Sequence, residues 1–173
     1  MDYMIGVDIG TTSVKTVLFD NVGKVQGYSN NLYPLYQDVP DMAEEDPDEI
    51  FSAIVDGLTT VLRKANLSEG ELKGVSFSAA MHSLILLDDN HKPMTRAITW
   101  ADNRAVKYAD QLRENGIGKQ IYEKTGTPIH PMTPFTKLIW LRNEHKDLFD
   151  KARWFVGIKE YVIYKLFGVL KED

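Results

Sequence analysis

The stretch Asp8-Ile9-Gly10-Thr11-Thr12-Ser13-Val14-Lys15 sets a carboxylate, a glycine, two threonine hydroxyls and a lysine between two apolar runs, and it constrains the chain more than any other. Met4 to Ile9 reads as a short buried strand and Val14 to Phe19 as a second, rich in β-branched residues, so the polar residues fall in a tight turn between strands. Gly10 lets the backbone approach a ligand closely, Thr11 and Thr12 offer N–H groups and hydroxyls, and Lys15 supplies a compact cation. Asp8 is suited to a hydrated magnesium ion. Together these groups are the inventory of a phosphate site. The turn is not a Walker A loop, because the spacing G-x-x-x-x-G-K-[ST] is absent and the residues after Gly10 continue as strand rather than opening a helix. An ordinary hairpin turn, with Asp8 and Lys15 as a solvated pair, fits the same residues.

A chain of 173 residues suits about one domain with a sizeable core, and 43% hydrophobic with 26% charged residues is ordinary for a globular protein. A net charge of -5 without a basic run argues against a general nucleic-acid binder, which needs a basic face to neutralise phosphates. The apolar stretches fall short of a membrane span, and Met1-Asp2-Tyr3 lacks the charged start of a signal peptide, so a cytoplasmic location is expected. Without cysteine there is no disulfide or thiolate chemistry. His82, His91, His130 and His145 show no ligand spacing for a transition metal.

Val25 to Asn31 returns after a turn at Asp20 to Lys24, in which Gly23 is available for positive φ, and a three-stranded antiparallel meander results. Tyr33 to Ala43, punctuated by Pro34 and Pro40, reads as an irregular crossover over the surface. Asp46-Pro47-Asp48-Glu49 starts a helix, with Asp46 as N-cap and Glu49 completing a capping box. Ile50, Phe51, Ile54, Val55, Leu58, Val61 and Leu62 then give it one apolar face, and Asn66 to Gly70 ends it. Leu72 to Ala80 and Leu84 to Leu87 read as strands, which suggests a mixed sheet with a crossover helix. Ala97 to Trp100 reads as a brief strand. Asp102 is expected to cap a helix that buries Ala105, Tyr108, Ala109 and Leu112 and stops at Asn115-Gly116. A short helix spans Lys119 to Lys124. Another starts at Thr133-Pro134 with Phe135, Leu138, Ile139 and Leu141 mostly inward, followed by a strand over Arg153 to Ile158 and a helix over Lys159 to Leu166.

Three clusters carry candidate chemistry: the Asp8 to Lys15 turn, Met81-His82, and Trp100-Ala101-Asp102-Asn103-Arg104. Each follows a strand, where an α/β scaffold places binding groups. His82 also fits as a satisfied core histidine, Met81 as a gap filler, Trp100 as core, and Arg104 as a solvated charge. Against that, an indole face, a carboxylate and a guanidinium within five residues make a good polyol site.

Asp8 to Lys15, followed by Phe19-Asp20 and Gly23, resembles the first phosphate motif of the actin-like ATPase fold, and specifically of the FGGY family of carbohydrate kinases. Ser78-Ala79-Ala80-Met81-His82-Ser83 and Thr99 to Arg104 look like the sugar-contacting segments of that family, as does Tyr33-Pro34-Leu35 leading to Glu45-Asp46-Pro47. The resemblance implies an α/β fold: an actin-like ATPase (ribonuclease H-like) domain with a mixed sheet, the antiparallel meander and flanking helices. Residues 1–173 would be most of the N-terminal, sugar-binding domain.

The implied activity is ATP-dependent phosphorylation of a sugar or sugar acid. Asp8 would assist Mg2+, Gly10, Thr11, Thr12 and Lys15 would meet the ATP phosphates, and Met81, His82, Trp100, Asp102 and Arg104 would line the sugar pocket. Arg104 or Lys159 would meet a substrate carboxylate. Ketopentose kinases of the family typically carry Gly-Gln-Met-His-Gly where this chain has Ala79-Ala80-Met81-His82-Ser83, and the Trp-Ala-Asp-Asn-Arg segment looks more like gluconate kinases. D-Gluconate is therefore the expected acceptor, with xylulose or another polyol as the alternative.

By the same likeness the general-base aspartate and a second, nucleotide-closing domain lie beyond Asp173, so no catalytic base is expected within residues 1–173 and these residues alone would be catalytically feeble. A homodimer through an uncovered sheet edge stays open. From another class, a non-catalytic actin-like module that binds a sugar or phosphate fits the same residues, and an actin-like chaperone ATPase leaves Met81-His82 and Trp100 to Arg104 without a use.

Overall fold

The computed structural model describes residues 1–65 and 67–170. In chain order the elements are β1 (Tyr3–Ile9), β2 (Ser13–Asp20), β3 (Val25–Leu32), β4 (Glu44–Glu45), α1 (Pro47–Ala65), β5 (Leu72–Ala79), β6 (Ile85–Leu87), β7 (Ala97–Ile98), α2 (Val106–Glu114), α3 (Ile117–Thr125), α4 (Pro134–Glu144), α5 (Lys146–Lys151), β8 (Trp154–Val156) and α6 (Ile158–Phe167). Two compact units divide them. One contains Met1–Leu35, Glu45–Ala80 and the chain from Lys159; the other contains Tyr36–Glu44 and Met81–Ile158.

The first unit is built on a four-stranded sheet in the order β3-β2-β1-β5. β1, β2 and β3 form the expected antiparallel meander, and β5 returns through α1 to lie parallel to β1. The pleat sends Ile5, Val7, Ile9, Val14, Thr16 and Leu18 to a buried face, and α1 packs on β2 and β3. Asp46 starts that helix as expected, its Oδ1 accepting from the backbone N–H of Asp48 at 2.8 Å and of Glu49 at 3.3 Å. Its inward face is smaller than the hydrophobic pattern predicts. Ile50, Ala53, Ile54, Gly57 and Val61 are buried, whereas Val55 is exposed. Gly57 faces Thr16 of β2, where a side chain would hold the helix off the sheet. Asn66, expected to begin the helix stop, lies outside the described residues. Tyr161 Oη and Lys165 Nζ of α6 both donate to Asp48 Oδ1 at 2.8 Å, tying α6 to the start of α1.

The second unit has a core of Leu84, Leu86, Ile98, Ala105, Tyr108, Trp140 and Leu141. β6 does not join the large sheet; it pairs antiparallel with β8, Ile85 opposite Val156. The crossover expectation therefore holds for β5 and fails for β6. α4 packs Leu138, Ile139 and Leu141 at this core as expected but leaves Phe135 out. Thr136, Lys137, Trp140 and Leu141 are buried, Phe135 is exposed, and Leu138 and Ile139 are half-buried. Residues 33–43 run over the surface as expected, 37–41 being exposed, and only the end residues Tyr33 and Ala43 are buried. No helix among the described residues is long and apolar enough to cross a membrane.

Candidate functional site

The β1–β2 turn is closed by Gly10 N–H donating to Ser13 O at 3.0 Å. The register sets Asp8 directly opposite Lys15, on the face away from Val7 and Thr16, and both side chains are exposed, as is Thr12. A Cβ on Gly10 would sit 3.3 Å from Ser13 O, so the turn favours a residue without a side chain. Tyr33 braces it from beneath: its hydroxyl donates to Gly10 O, and its N–H donates to Thr12 O at 3.2 Å. Burial, with the negative charges of Glu45 and Asp8, raises the Tyr33 pKa, which keeps the phenol a donor. Asp8 pairs in register with Ser78 of β5 and Ile9 with Ala79, and Ala80 N–H donates to Ile9 O at 2.8 Å. The carboxyl end of β5 therefore lies beside the turn.

These residues fit a magnesium–phosphate group. Among the described residues no set of three or more His, Asp or Glu side chains converges on a metal position. A single open carboxylate suits magnesium, which keeps several waters and takes phosphate oxygens as its other ligands.

In the second unit, Met81 is 74% exposed and Trp100 is 48% exposed. His82 between them in sequence is half-buried and adopts φ 68°. Burial lowers its pKa, helped by the charges of Lys137 and His130. Ser83 anchors the segment, its Oγ accepting from Ile158 N–H at 2.9 Å.

Asp102 is not the expected helix cap. α2 starts after Ala105 without a side-chain cap, and the Asp102 carboxylate is fully buried. Its Oδ2 accepts from Ala43 N–H at 3.0 Å and its Oδ1 from Arg104 N–H at 3.1 Å. The Arg104 guanidinium binds Asp102 at 2.8 Å and Glu44 at 2.5 Å and lies 4.6 Å over the Trp140 ring. Burial opposes its charge, but the hydrogen bonds to Asp102 and Glu44 outweigh it and raise its pKa. Arg104 is thus a structural clamp here rather than a solvated charge.

The residue that sequence reasoning missed is Lys137. Its fully buried ammonium donates to the carbonyl oxygens of His82 at 2.6 Å, Thr99 at 2.7 Å, Met132 at 2.8 Å and Ile98 at 3.3 Å. The Met81-His82 and Trp100 clusters, separate in sequence, thus hang on one side chain. The available signal was a cation on the inward stripe of α4, between Thr136 and Trp140. Burial pushes Lys137 down to about 8, opposed by Asp102 and reinforced by Arg104. Glu45, named in sequence only as part of a family-like segment, is buried as well. It is 3% exposed, its Oε1 lacks a hydrogen-bond partner among the described residues, and burial raises it to about 8.

Comparison with known proteins gives these features a context. A gluconokinase of Bacillus subtilis (strain 168) is 46% identical over 166 residues, which cover 96% of this chain and 32% of the relative. The crystal structure of a gluconate kinase from Lactobacillus acidophilus matches with TM-score 0.93 and 42% identity, covering 98% of this chain and 34% of that one. A ligand-bound xylulose kinase from Lactobacillus acidophilus matches with the same TM-score, identity and coverage. The chain spans about a third of the length of these relatives. The model of the FGGY family of carbohydrate kinases, N-terminal domain, matches residues 3–173. With its mixed sheet and flanking helices accounted for by that match, the chain belongs to the FGGY family of carbohydrate kinases.

Proposed function

We propose that these residues form the phosphate- and acceptor-binding portion of an ATP-dependent kinase that phosphorylates a sugar or sugar acid, built on an actin-like, ribonuclease H-like domain. The observation that carries this reading is the open β1–β2 turn, where Asp8 and Lys15 face each other beside exposed Thr12 and a close-packed Gly10.

ATP with Mg2+, when bound, supplies the transferable phosphoryl group. Asp8 would hold the hydrated metal. Gly10, Thr11 and Thr12 would present N–H groups and hydroxyls to phosphate oxygens, and Lys15 would neutralise their charge. Phosphoryl transfer depends mainly on positioning and charge neutralisation, which is what such a turn offers. Met81, His82 and Trp100 would contact the acceptor, the indole covering its apolar face and the imidazole a hydroxyl. Asp102 and Arg104 would contribute by fixing the Trp100 segment through Ala43 and Glu44. The general base that takes the acceptor proton is assigned to no residue of 1–173.

We assign D-gluconate as the acceptor, with xylulose as the alternative. The support is the 46% identity to a gluconokinase and the Ala79-Ala80 and Trp100 to Arg104 segments. Equal likeness to structures named for gluconate and xylulose kinases does not separate the two. The test is a coupled ATP-turnover assay on the native-length protein. Turnover dependent on D-gluconate and at least tenfold weaker with D-xylulose supports the assignment; turnover indifferent to both rejects it.

A further inference from the structure

Lys137 lies fully buried on the inward stripe of α4, with Thr136, Trp140 and Leu141. A buried ammonium is costly unless its hydrogen bonds are satisfied, and apolar replacement of a buried charge is often neutral or stabilising. A charge at this buried place therefore calls for a role beyond filling space.

An ammonium has three donors, and the three shortest contacts go to His82 O, Thr99 O and Met132 O, from three separate segments. Among the described residues none of its hydrogen bonds goes to a carboxylate, and the charge of Asp102 is what compensates it. The shortest bond is to the peptide of His82, a non-glycine residue held at φ 68°. Such a conformation persists only where the surroundings over-determine it. Thr99, the other close partner, directly precedes Trp100 and is itself pinned by its Oγ1 donating to Ala43 O at 2.9 Å.

We propose that Lys137 is a positioning residue: its ammonium clasps the His82 and Thr99 carbonyls and so sets the groups that meet the acceptor, Met81, His82 and Trp100. This rests on the reading of those three residues given above. Lys137 touches no acceptor itself. Removing its charge frees the His82 peptide to relax to negative φ and lets the Trp100 segment shift away from it.

Two measurements on the chain test this. In the unaltered protein, the Lys137 ammonium gives a slowly exchanging 15N signal with hydrogen-bond couplings to the carbonyl carbons of His82 and Thr99. Absence of that signal overturns the clasp without any variant having to fold. In K137M, amide exchange at Met81–Ser83 and Thr99–Ala101 rises at least tenfold more than in the rest of the second unit, and D-gluconate binding weakens at least tenfold. Unchanged exchange in those segments, or a rise spread evenly over the unit, overturns the proposal, as does undiminished D-gluconate binding. Local loosening in a chain that binds neither D-gluconate nor D-xylulose upholds the clasp and rejects the acceptor assignment instead, so the two fail separately.

Discussion

A Cβ added to Gly57 would lie 2.4 Å from Thr16 Oγ1, so α1 sits on β2 as close as a glycine permits. Gly57→Ala is expected to force the helix off the sheet at a cost of about 1–3 kcal/mol. Urea denaturation measures this, and Thr16→Ala in the same chain should restore part of the loss. An alanine variant as stable as its parent would mean that the contact is looser than described.

Glu45 sets an unusual pH dependence. Below its ordinary value of 4.5 the carboxyl is neutral in both folded and unfolded chains; between there and about 8 the unfolded chain releases the proton while the folded chain keeps it. Its contribution to stability therefore falls as pH rises through that window, by up to ~1.4 kcal/mol per pH unit. Glu45→Gln removes the effect. The variant should gain on the parent between about pH 5 and pH 8, ending roughly 2–4 kcal/mol more stable. Parallel stability–pH curves would show that Glu45 is hydrated in solution.

The Asp102–Arg104 pair is expected to be far more sensitive than a surface ion pair. Asp102→Ala strips Ala43 N–H of its acceptor and leaves Arg104 with Glu44 alone, a loss of about 3–5 kcal/mol. Asp102→Asn keeps an acceptor for Ala43 and should cost less. Guanidinium unfolding midpoints rank the two, and equal midpoints would contradict the geometry.

His82 separates stability from binding. Its left-handed backbone suits glycine, so His82→Gly should gain up to ~1 kcal/mol in unfolding free energy while weakening D-gluconate binding, read by calorimetry. His82→Ala keeps the backbone strain and loses the imidazole. A glycine variant that binds D-gluconate as the parent does would remove His82 from the acceptor site.

The meander, the capped α1 and the crossover to β5 were legible in sequence because each rests on local signals: the apolar runs Met4 to Ile9 and Val14 to Phe19, Gly23 at positive φ, Asp46-Pro47, and the strand–helix–strand order that follows. The partner of β6 was not, because Ile85 to Leu87 is buried all round and carries no alternation to point it toward a sheet. Nor was the fate of Asp102, since an aspartate just before a helix looks like a cap whether its carboxylate meets that helix or the backbone of Ala43, 59 residues away. Lys137 escaped notice for the same reason, and Tyr33, named only as part of the crossover and of a family-like segment, gave no sign of its bond to Gly10. Each works by holding backbone carbonyls distant in sequence, and a carbonyl leaves no mark on residue type.

The most direct measurement is a two-dimensional amide NMR titration of the chain, with D-gluconate and magnesium–ATP added separately. D-Gluconate is expected to shift Met81–Ser83 and Trp100–Ala101, and magnesium–ATP to shift Gly10–Thr12, each saturably. Shifts confined to α3, or no saturable shift with either ligand up to about 10 mM, above the usual range of substrate affinities, would contradict a phosphate turn and acceptor groups in this chain.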